Sequence, residues 1–375
     1  MNTTFRYVIS KLAVFGLCIG LAACGTSRPK PEDFPNVTVL QDVRTSWSAQ
    51  IGAVNFPLAV ASRGDRVALA NSQGVVAVLS AQTGQDIWRV NLNQAIAAGV
   101  GSDGQQVAVV TRDNQLVVLK DGQVQWRQNL ASSSFTPPLL AGGRVFVLTA
   151  DRSVLAFDGA TGGLLWTQQR PGEPLVLKQA GVLVPFKNTL LAGLSGRLAG
   201  LDPNTGAIRW ESAIATPRGT NDMERLVDLV SPADRQGDVV CVRAFQAQIG
   251  CVNAERGQSV WTRVSNGDRG VSGNDKLLIA TLSNGVVQAW NRSNGERLWD
   301  TERLKYRVLS APLVTPRGVL LADNGGWLYL LSLADGALLN RVKLDGSELA
   351  AAPVQAGTTQ VLVTREGRVM GLQIP

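Results

Sequence analysis

The chain has 375 residues, of which 45% are hydrophobic and 17% are charged. This composition supplies a large apolar core and excludes an intrinsically disordered protein. The net charge of +7 is spread along the chain, without the basic run that a nucleic-acid-binding protein would show. The sequence contains no histidine, which excludes imidazole-based catalysis and zinc sites of the usual kind.

The first residues have the pattern of a bacterial lipoprotein signal peptide. Arg6 and Lys11 give a positive start, and the apolar run of residues 12–23 is too short to span a bilayer comfortably. Small residues precede a cysteine at the end of this run, as in a lipobox: Leu21-Ala22-Ala23-Cys24-Gly25. We therefore predict that residues 1–23 are removed and that Cys24 is acylated. A plain secretory signal with an incidental cysteine is the alternative.

Residues 24–44 are predicted to form an extended tether that holds the folded part away from the membrane. This stretch carries Pro29, Pro31 and Pro35, and proline-rich linkers are extended. Gly25 follows the cysteine in place of the aspartate that commonly retains lipoproteins at the inner membrane. We therefore expect a protein that is lipid-anchored at the outer membrane and faces the periplasm.

One pattern is repeated through the rest of the chain: a glycine followed four residues later by a tryptophan. Glycine accepts the positive φ of a tight turn, and the tryptophan offers a broad apolar plate between neighbouring sheets. In a seventh copy Asn340 replaces the tryptophan. The tryptophans of this pattern are Trp88, Trp126, Trp166, Trp210, Trp261 and Trp299.

An alternating strand precedes each glycine, and the strands recur at intervals of about 40 residues. An eighth copy, from Gly367 to Leu372, has the strand but then the chain ends. Such a period predicts an all-β fold, an eight-bladed β-propeller of four-stranded antiparallel blades. The last large apolar residues of the earlier strands are Leu79, Leu119, Phe157, Leu201, Val252, Trp290 and Leu331.

The missing outer strand of the eighth blade has a counterpart at the other end of the propeller domain, residues 45–375. The segment around Trp47 matches the tryptophan strands of the other repeats. As the outer strand of the last blade it would close the ring and leave no gap between the first and last blades. An open solenoid is the alternative, but its two terminal repeats would need polar caps.

Two cysteines remain after the signal peptide and the lipid site are set aside. Cys241 and Cys251 fall on the second and third strands of the fifth repeat, symmetric about Gln246. They are therefore expected to lie opposite each other. Either a cross-strand disulfide or two buried thiols fits this placement.

The repeat resembles that of pyrroloquinoline-quinone-dependent dehydrogenases, as in residues 201–210, LDPNTGAIRW. Those enzymes use an adjacent cysteine pair, whereas Cys241 and Cys251 are ten residues apart. They also use a carboxylate base with calcium ligands, or a histidine. The aspartates near the repeat turns have an ordinary role in bonding turn backbone. We therefore predict no enzyme activity, no cofactor, no metal site and no small-molecule substrate.

The lipobox, the proline-containing tether and the eight repeats together resemble the BamB family of outer-membrane assembly lipoproteins. The resemblance implies a non-catalytic scaffold that binds a POTRA domain of BamA, joins the other subunits of the BAM complex and assists insertion of unfolded outer-membrane proteins. The alternatives are a dehydrogenase-like enzyme and a periplasmic binder of the cell envelope. A cell-envelope binder would be expected to expose aromatic residues outside the repeat register, but the tryptophans there, Trp290 and Trp327, both fall in strands.

The resemblance also implies a set of partner-binding residues in segments 175–178 and 223–228. The family pattern is two leucines and a basic residue, followed in the second segment by Asp-x-Asp. Val230 stands where the second aspartate would be. The positions that match or accompany the pattern are Leu175, Leu177, Lys178, Arg225 and Asp228.

The order of strands in a propeller supports this placement, because loops that leave the outermost strands emerge on one face. The loops after Trp166 and Trp210 therefore share a face and belong to neighbouring blades. The second loop is the longest insertion, and residues 221–230 are predicted to form a short helix capped by Asn221. Leu175 and Leu177 have an alternative interpretation as inward residues of the next blade's first strand.

Overall fold

The structure is a computed structural model that describes residues 29–33, 38–170, 175–222 and 224–375. The described chain folds into 32 strands arranged as eight four-stranded sheets. Every pairing between neighbouring strands within a sheet is antiparallel, which confirms the predicted eight-bladed propeller. The predicted signal peptide and Cys24 lie outside the described residues. No helix within the described ranges is long and apolar enough to cross a membrane.

Each blade is built from consecutive strands, except the last, which takes its outer strand from the start of the propeller. The bounds of blades 1 to 4 are β2 (Ala61–Arg63), β3 (Arg66–Ala70), β4 (Val75–Ser80), β5 (Asp86–Asn91); β6 (Ile96–Ser102), β7 (Gln106–Thr111), β8 (Gln115–Lys120), β9 (Gln123–Asn129); β10 (Leu139–Ala141), β11 (Arg144–Leu148), β12 (Val154–Asp158), β13 (Leu164–Gln168); β14 (Leu183–Phe186), β15 (Thr189–Leu194), β16 (Arg197–Leu201), β17 (Ile208–Ala213). Those of blades 5 to 8 are β18 (Leu229–Gln236), β19 (Val239–Ala244), β20 (Gln248–Asn253), β21 (Gln258–Val264); β22 (Ser272–Gly273), β23 (Leu277–Thr281), β24 (Val287–Asn291), β25 (Arg297–Thr301); β26 (Leu313–Thr315), β27 (Gly318–Ala322), β28 (Trp327–Leu331), β29 (Leu338–Lys343); β30 (Val354–Ala356), β31 (Thr359–Val363), β32 (Arg368–Gln373), β1 (Arg44–Gln50).

The repeat tryptophans join neighbouring blades. Trp261 in blade 5, for example, donates its indole N–H to the carbonyl oxygen of Arg292 in blade 6 at 2.8 Å. The ring also lies against Gly295, where an added Cβ would fall 2.5 Å from Cδ2 of Trp261. The repeated glycine therefore serves both the positive φ of the turn and the close approach of the ring. The same indole-to-carbonyl bond joins Trp47 to Ala81, Trp126 to Gly159, Trp166 to Pro203 and Trp299 to Leu333.

The N-terminal strand closes the ring as predicted. Strand β1 pairs with β32 in antiparallel register, with Trp47 opposite Gly371, and completes the sheet order β1-β32-β31-β30. Trp47 is 9% exposed, and its indole N–H donates to a carbonyl oxygen of blade 1. The last blade therefore contacts the first through a tryptophan ring, as other neighbouring blades do. Closure by the chain's own N-terminal segment joins the last sheet to the first.

The alternation of strand direction gives the propeller two different faces. The face that carries the loops from each outer strand to the next inner strand is called the connector face here. It also carries the turns between the second and third strands, such as residues 149–152 in blade 3. The opposite face carries the turns between the third and fourth strands and is called the hairpin face.

The two remaining cysteines lie inside blade 5. Cys241 on β19 is the register partner of Cys251 on β20, with Cα atoms 4.0 Å apart, and the two side chains form a disulfide bond. Both residues are fully buried, in a cluster with Ile249 and Trp261. This pair is therefore enclosed within one sheet.

The predicted short helix over residues 221–230 is wrong. The described residues of that stretch form a bend and turns up to Arg225, residues 226–228 have no regular secondary structure, and β18 begins at Leu229. The side-chain oxygen of Asn221 does accept the amide of Glu224 at 2.9 Å, as a helix cap would. No helix forms, because Val227 and Leu229 are buried in an apolar cluster with residues of blades 4 and 5, and this packing outweighs the local helix signal.

Candidate partner-binding surface

Two neighbouring connectors meet on the connector face above blades 3 to 5. The first runs from the end of β13 to β14, and the second from the end of β17 to β18. They lie side by side near their inner ends, where Gly181 forms a β-bridge with Val230 and Ser231 donates its amide to the carbonyl oxygen of Ala180 at 2.9 Å. The prediction that these two loops share a face therefore agrees with their observed contact.

The leucines of the first connector lie outside the strands. Strand β14 begins only at Leu183, so the segment 175–178 precedes the sheet. Leu175 is 36% exposed, Leu177 is half-buried and Lys178 is exposed. The interpretation of the two leucines as inward residues of a blade strand is therefore wrong. This segment presents apolar side chains at the surface.

Asp228, on the second connector, is tied to the first connector and to blade 3. One carboxylate oxygen forms an ion pair with Nη1 of Arg152 at 2.7 Å, and the side chains of Arg152 and Asp228 are only 8% and 17% exposed. The other oxygen accepts the backbone amide of Leu177 at 3.1 Å. Asp228 is therefore held inside the surface by contacts within the chain.

Arg152 completes this arrangement from the turn between β11 and β12. Its Nη2 donates to the carbonyl oxygen of Leu175 at 2.9 Å, while Nη1 pairs with Asp228. The backbone of Arg152 has a φ of 64°, in the left-handed region. No sequence pattern indicated a role for Arg152. Its partner Asp228 lies 76 residues away, so no local pattern could have revealed the contact.

Arg225 on the second connector and Val230 in β18 lie in different environments. Arg225 is exposed, and its backbone amide bonds the carbonyl oxygen of Asn221 at 3.3 Å. Val230, at the position of the family's second aspartate, is 2% exposed and is paired with Arg243 in β18 and β19. This position therefore presents no charge at the surface.

An apolar cleft lies beside Leu177 between the two connectors. Its walls include Phe135, Leu148, Leu194 and Leu229. Together with the exposed Leu175, the cleft gives this part of the connector face an apolar centre. Lys178, which directly follows Leu177, supplies positive charge next to it.

Lys178 also lines the mouth of the central channel, so the surface around Leu175 is continuous with it. The cavity at this mouth has a volume of about 390 Å³ and is bordered by the connectors of several blades. Both signs of charge are present around it, and no described group of three or more His, Cys, Asp or Glu side chains is arranged to hold a metal ion. The charged residues that line the mouth are Lys178, Asp268, Arg269, Asp323, Glu348 and Arg365.

Comparison with known proteins shows the family. A family model described as "Outer membrane protein assembly factor BamB" matches residues 72–301. The chain is also 33% identical over its whole length to the outer membrane protein assembly factor BamB of Burkholderia pseudomallei, and covers all of that protein. The chain belongs to the BamB family. The BamB of Bordetella pertussis is 30% identical, with 92% of this chain and 90% of that protein covered.

Solved structures support the same fold. The crystal structure of BamB from Moraxella catarrhalis superposes with a TM-score of 0.81 at 23% identity, covering 88% of this chain and 100% of that one. A quinohemoprotein alcohol dehydrogenase from Comamonas testosteroni has a TM-score of 0.68 at 13% identity, covering 92% of this chain and 78% of that one. At these identities the likeness concerns the fold alone, which BamB-family members share with dehydrogenases.

Proposed function

We propose that this chain is a non-catalytic scaffold of outer-membrane protein assembly. In this proposal it is anchored to the outer membrane through acylated Cys24, faces the periplasm, binds a POTRA domain of BamA within the BAM complex and assists insertion of unfolded outer-membrane proteins. Membership of the BamB family supports the assembly role, since the relatives carry that name. The fold does not distinguish a scaffold from an enzyme, so the support for partner binding comes from the surface.

The observation that carries the partner-binding proposal is the exposure of Leu175 on a connector whose backbone is held by Arg152 and Asp228. An exposed leucine beside an apolar cleft is typical of a docking site, where central apolar residues supply most of the binding free energy. Exposed Lys178 lies next to Leu177 at this centre, where charges set the orientation and the rate of association. The surface thus has the apolar centre and polar rim of a protein interface.

Site-specific photo-crosslinking in intact cell envelopes tests this proposal. A photoreactive amino acid at position 175 is expected to form an adduct with BamA through its POTRA region. The matched control is position 164, because Leu164 is also exposed, at 56%, but lies on the outer strand β13. Absence of a BamA adduct at position 175, or equal adducts at both positions, would contradict the proposal.

A further inference from the structure

The two sides of the Arg152–Asp228 pair each hold a different part of the surface. Asp228 accepts the amide of Leu177, and Arg152 donates to the carbonyl oxygen of Leu175. Between them the two side chains fix two backbone groups of residues 175–178, called the leucine segment here: one donor and one acceptor. The segment lies outside any strand, so it lacks the ladder of hydrogen bonds that would fix it within a sheet.

The same pair also joins three parts of the chain. Arg152 comes from a turn of blade 3, Leu175 and Leu177 from the first connector, and Asp228 from the second. The backbone of Asp228 is itself bonded to blade 5, since its carbonyl oxygen accepts the amide of Phe245 at 2.9 Å. The leucine segment is thereby connected by hydrogen bonds and the ion pair to blade 3 on one side and blade 5 on the other.

We propose that Arg152 is a positioning residue for partner binding, and that Asp228 acts with it in this way and makes no direct contact with the partner. The proposal rests on the function proposed above and deepens it. A leucine that is already fixed loses less conformational freedom when the partner binds, so binding is stronger. Loss of the pair leaves both leucines present but no longer held in one geometry.

A second ion pair in this chain provides a matched control. Arg292 pairs with Asp234, and their side chains are 5% and 12% exposed. Here too the carboxylate accepts a backbone amide, from Gly273 at 2.8 Å, and the guanidinium donates to a backbone carbonyl oxygen, that of Val239 at 3.0 Å. Arg292 lies on the turn between β24 and β25, on the hairpin face. The chemistry and burial match, but the location does not.

The first experiment measures amide hydrogen exchange in the free protein, without any partner. Arg152→Met is expected to speed exchange of the peptide covering residues 175–181 by about tenfold. Without Arg152, the carboxylate of Asp228 is no longer held in place as the acceptor of the Leu177 amide. Arg292→Met is expected to leave that peptide unchanged although it also removes a buried cation. Unchanged exchange at residues 175–181 in Arg152→Met would overturn the proposal. This measurement does not depend on the partner, so its failure is distinct from failure of the proposed function.

The second experiment measures affinity for the POTRA region of BamA at a temperature where every variant is folded. Arg152→Met is expected to weaken binding about tenfold, and Arg292→Met to leave it unchanged. Equal affinities of Arg152→Met and wild type would overturn the positioning role. Absence of binding by the wild-type protein would instead overturn the proposed function.

A double variant separates positioning from general stability. In Arg152→Met with Asp228→Leu the buried pair is replaced by apolar side chains, which often restores stability. The melting temperature is expected to recover toward that of the wild type. Amide exchange at residues 175–181 is expected to stay faster, and the affinity for the POTRA region weaker, than in the wild type. Recovery of affinity together with the melting temperature would show a merely structural role and overturn the proposal.

Discussion

The side-chain amide of Asn340 donates a hydrogen bond to the carbonyl oxygen of Gln41 at 2.7 Å. Asn340 stands at the tryptophan position of blade 7, where other blades bond the third-to-fourth-strand turn of the next blade through an indole N–H. Blade 8 has no such turn, because β32 ends close to Pro375 and the outer strand comes from the N-terminal side. Gln41 supplies the acceptor and also bonds the carbonyl oxygen of Pro375 at 2.6 Å. The bond from Asn340 therefore crosses the place where the ring is closed.

Replacement of Asn340 by leucine is expected to lower the free energy of unfolding by about 1 kcal/mol, because the part-buried hydrogen bond to the carbonyl oxygen of Gln41 is lost. Urea unfolding monitored by tryptophan fluorescence provides the measurement. Gln125→Leu is the control, since Gln125 is an exposed residue of the outer strand β9. Equal stability of Asn340→Leu and the wild type would show that this bond contributes nothing to closure.

Two glycine substitutions separate backbone strain from contact with a tryptophan plate. Gly237 has a φ of +57° with nothing within 4 Å of an added Cβ, so Gly237→Ala is expected to cost about 1–2 kcal/mol from strain alone. Gly295 has a φ of +69°, but its Cβ would lie 2.5 Å from Trp261. Gly295→Ala is therefore expected to cost about 1–3 kcal/mol more. Chemical denaturation of both variants is the measurement, and equal losses would contradict the role of the ring.

The Cys241–Cys251 disulfide closes a short loop within blade 5. Cys241→Ala with Cys251→Ala is expected to lower the free energy of unfolding by about 2–3 kcal/mol. Both residues are fully buried, so a thiol reductant is expected to leave the native protein oxidised and to act only after unfolding. Mass spectrometry of alkylated thiols in native and unfolded samples checks this. Ready reduction of the folded protein would contradict the predicted protection.

The lipid anchor remains a prediction from the sequence. Cys24→Ala is expected to leave the protein soluble or uncleaved, because the thiol that receives the lipid is gone. Fractionation of cell envelopes is the measurement, and Cys18→Ala within the same signal peptide is the control that should still reach the outer membrane. Unchanged membrane association of Cys24→Ala would reject this part of the account.

The sequence was sufficient to predict the architecture because each blade repeats the same local chemistry. The glycine turn and the following tryptophan recur with fixed spacing, and even the displaced outer strand could be recognised from the residues around Trp47. The predicted helix after Trp210 failed for a reason that local patterns do not contain. Asn221 does form a cap-like bond, but burial of Val227 and Leu229 against blades 4 and 5 outweighs this local signal.

The candidate surface was predicted only in part. The sequence indicated which two loops carry it, and it placed them on one face. It assigned Asp228 to the partner, whereas the structure directs that carboxylate inward to Arg152 and Leu177. This contact joins a turn of blade 3 to the connector between blades 4 and 5, so it depends on the assembled ring and no short-range spacing could have shown it. The contacts of Asp228 could therefore be identified only from the three-dimensional structure.

The most direct test of the account is the affinity of the lipidated protein for the POTRA region of BamA when Leu175 and Leu177 are both changed to alanine. The matched control is Leu164→Ala with Leu165→Ala, a pair that is 56% and 48% exposed on β13. Because Leu175 and Leu177 lie outside the strands, circular dichroism and melting should stay near those of the wild type. The account predicts that the first pair raises the dissociation constant at least about tenfold and that the control pair leaves it unchanged. A folded Leu175→Ala, Leu177→Ala protein that binds the POTRA region as strongly as the wild type would contradict it.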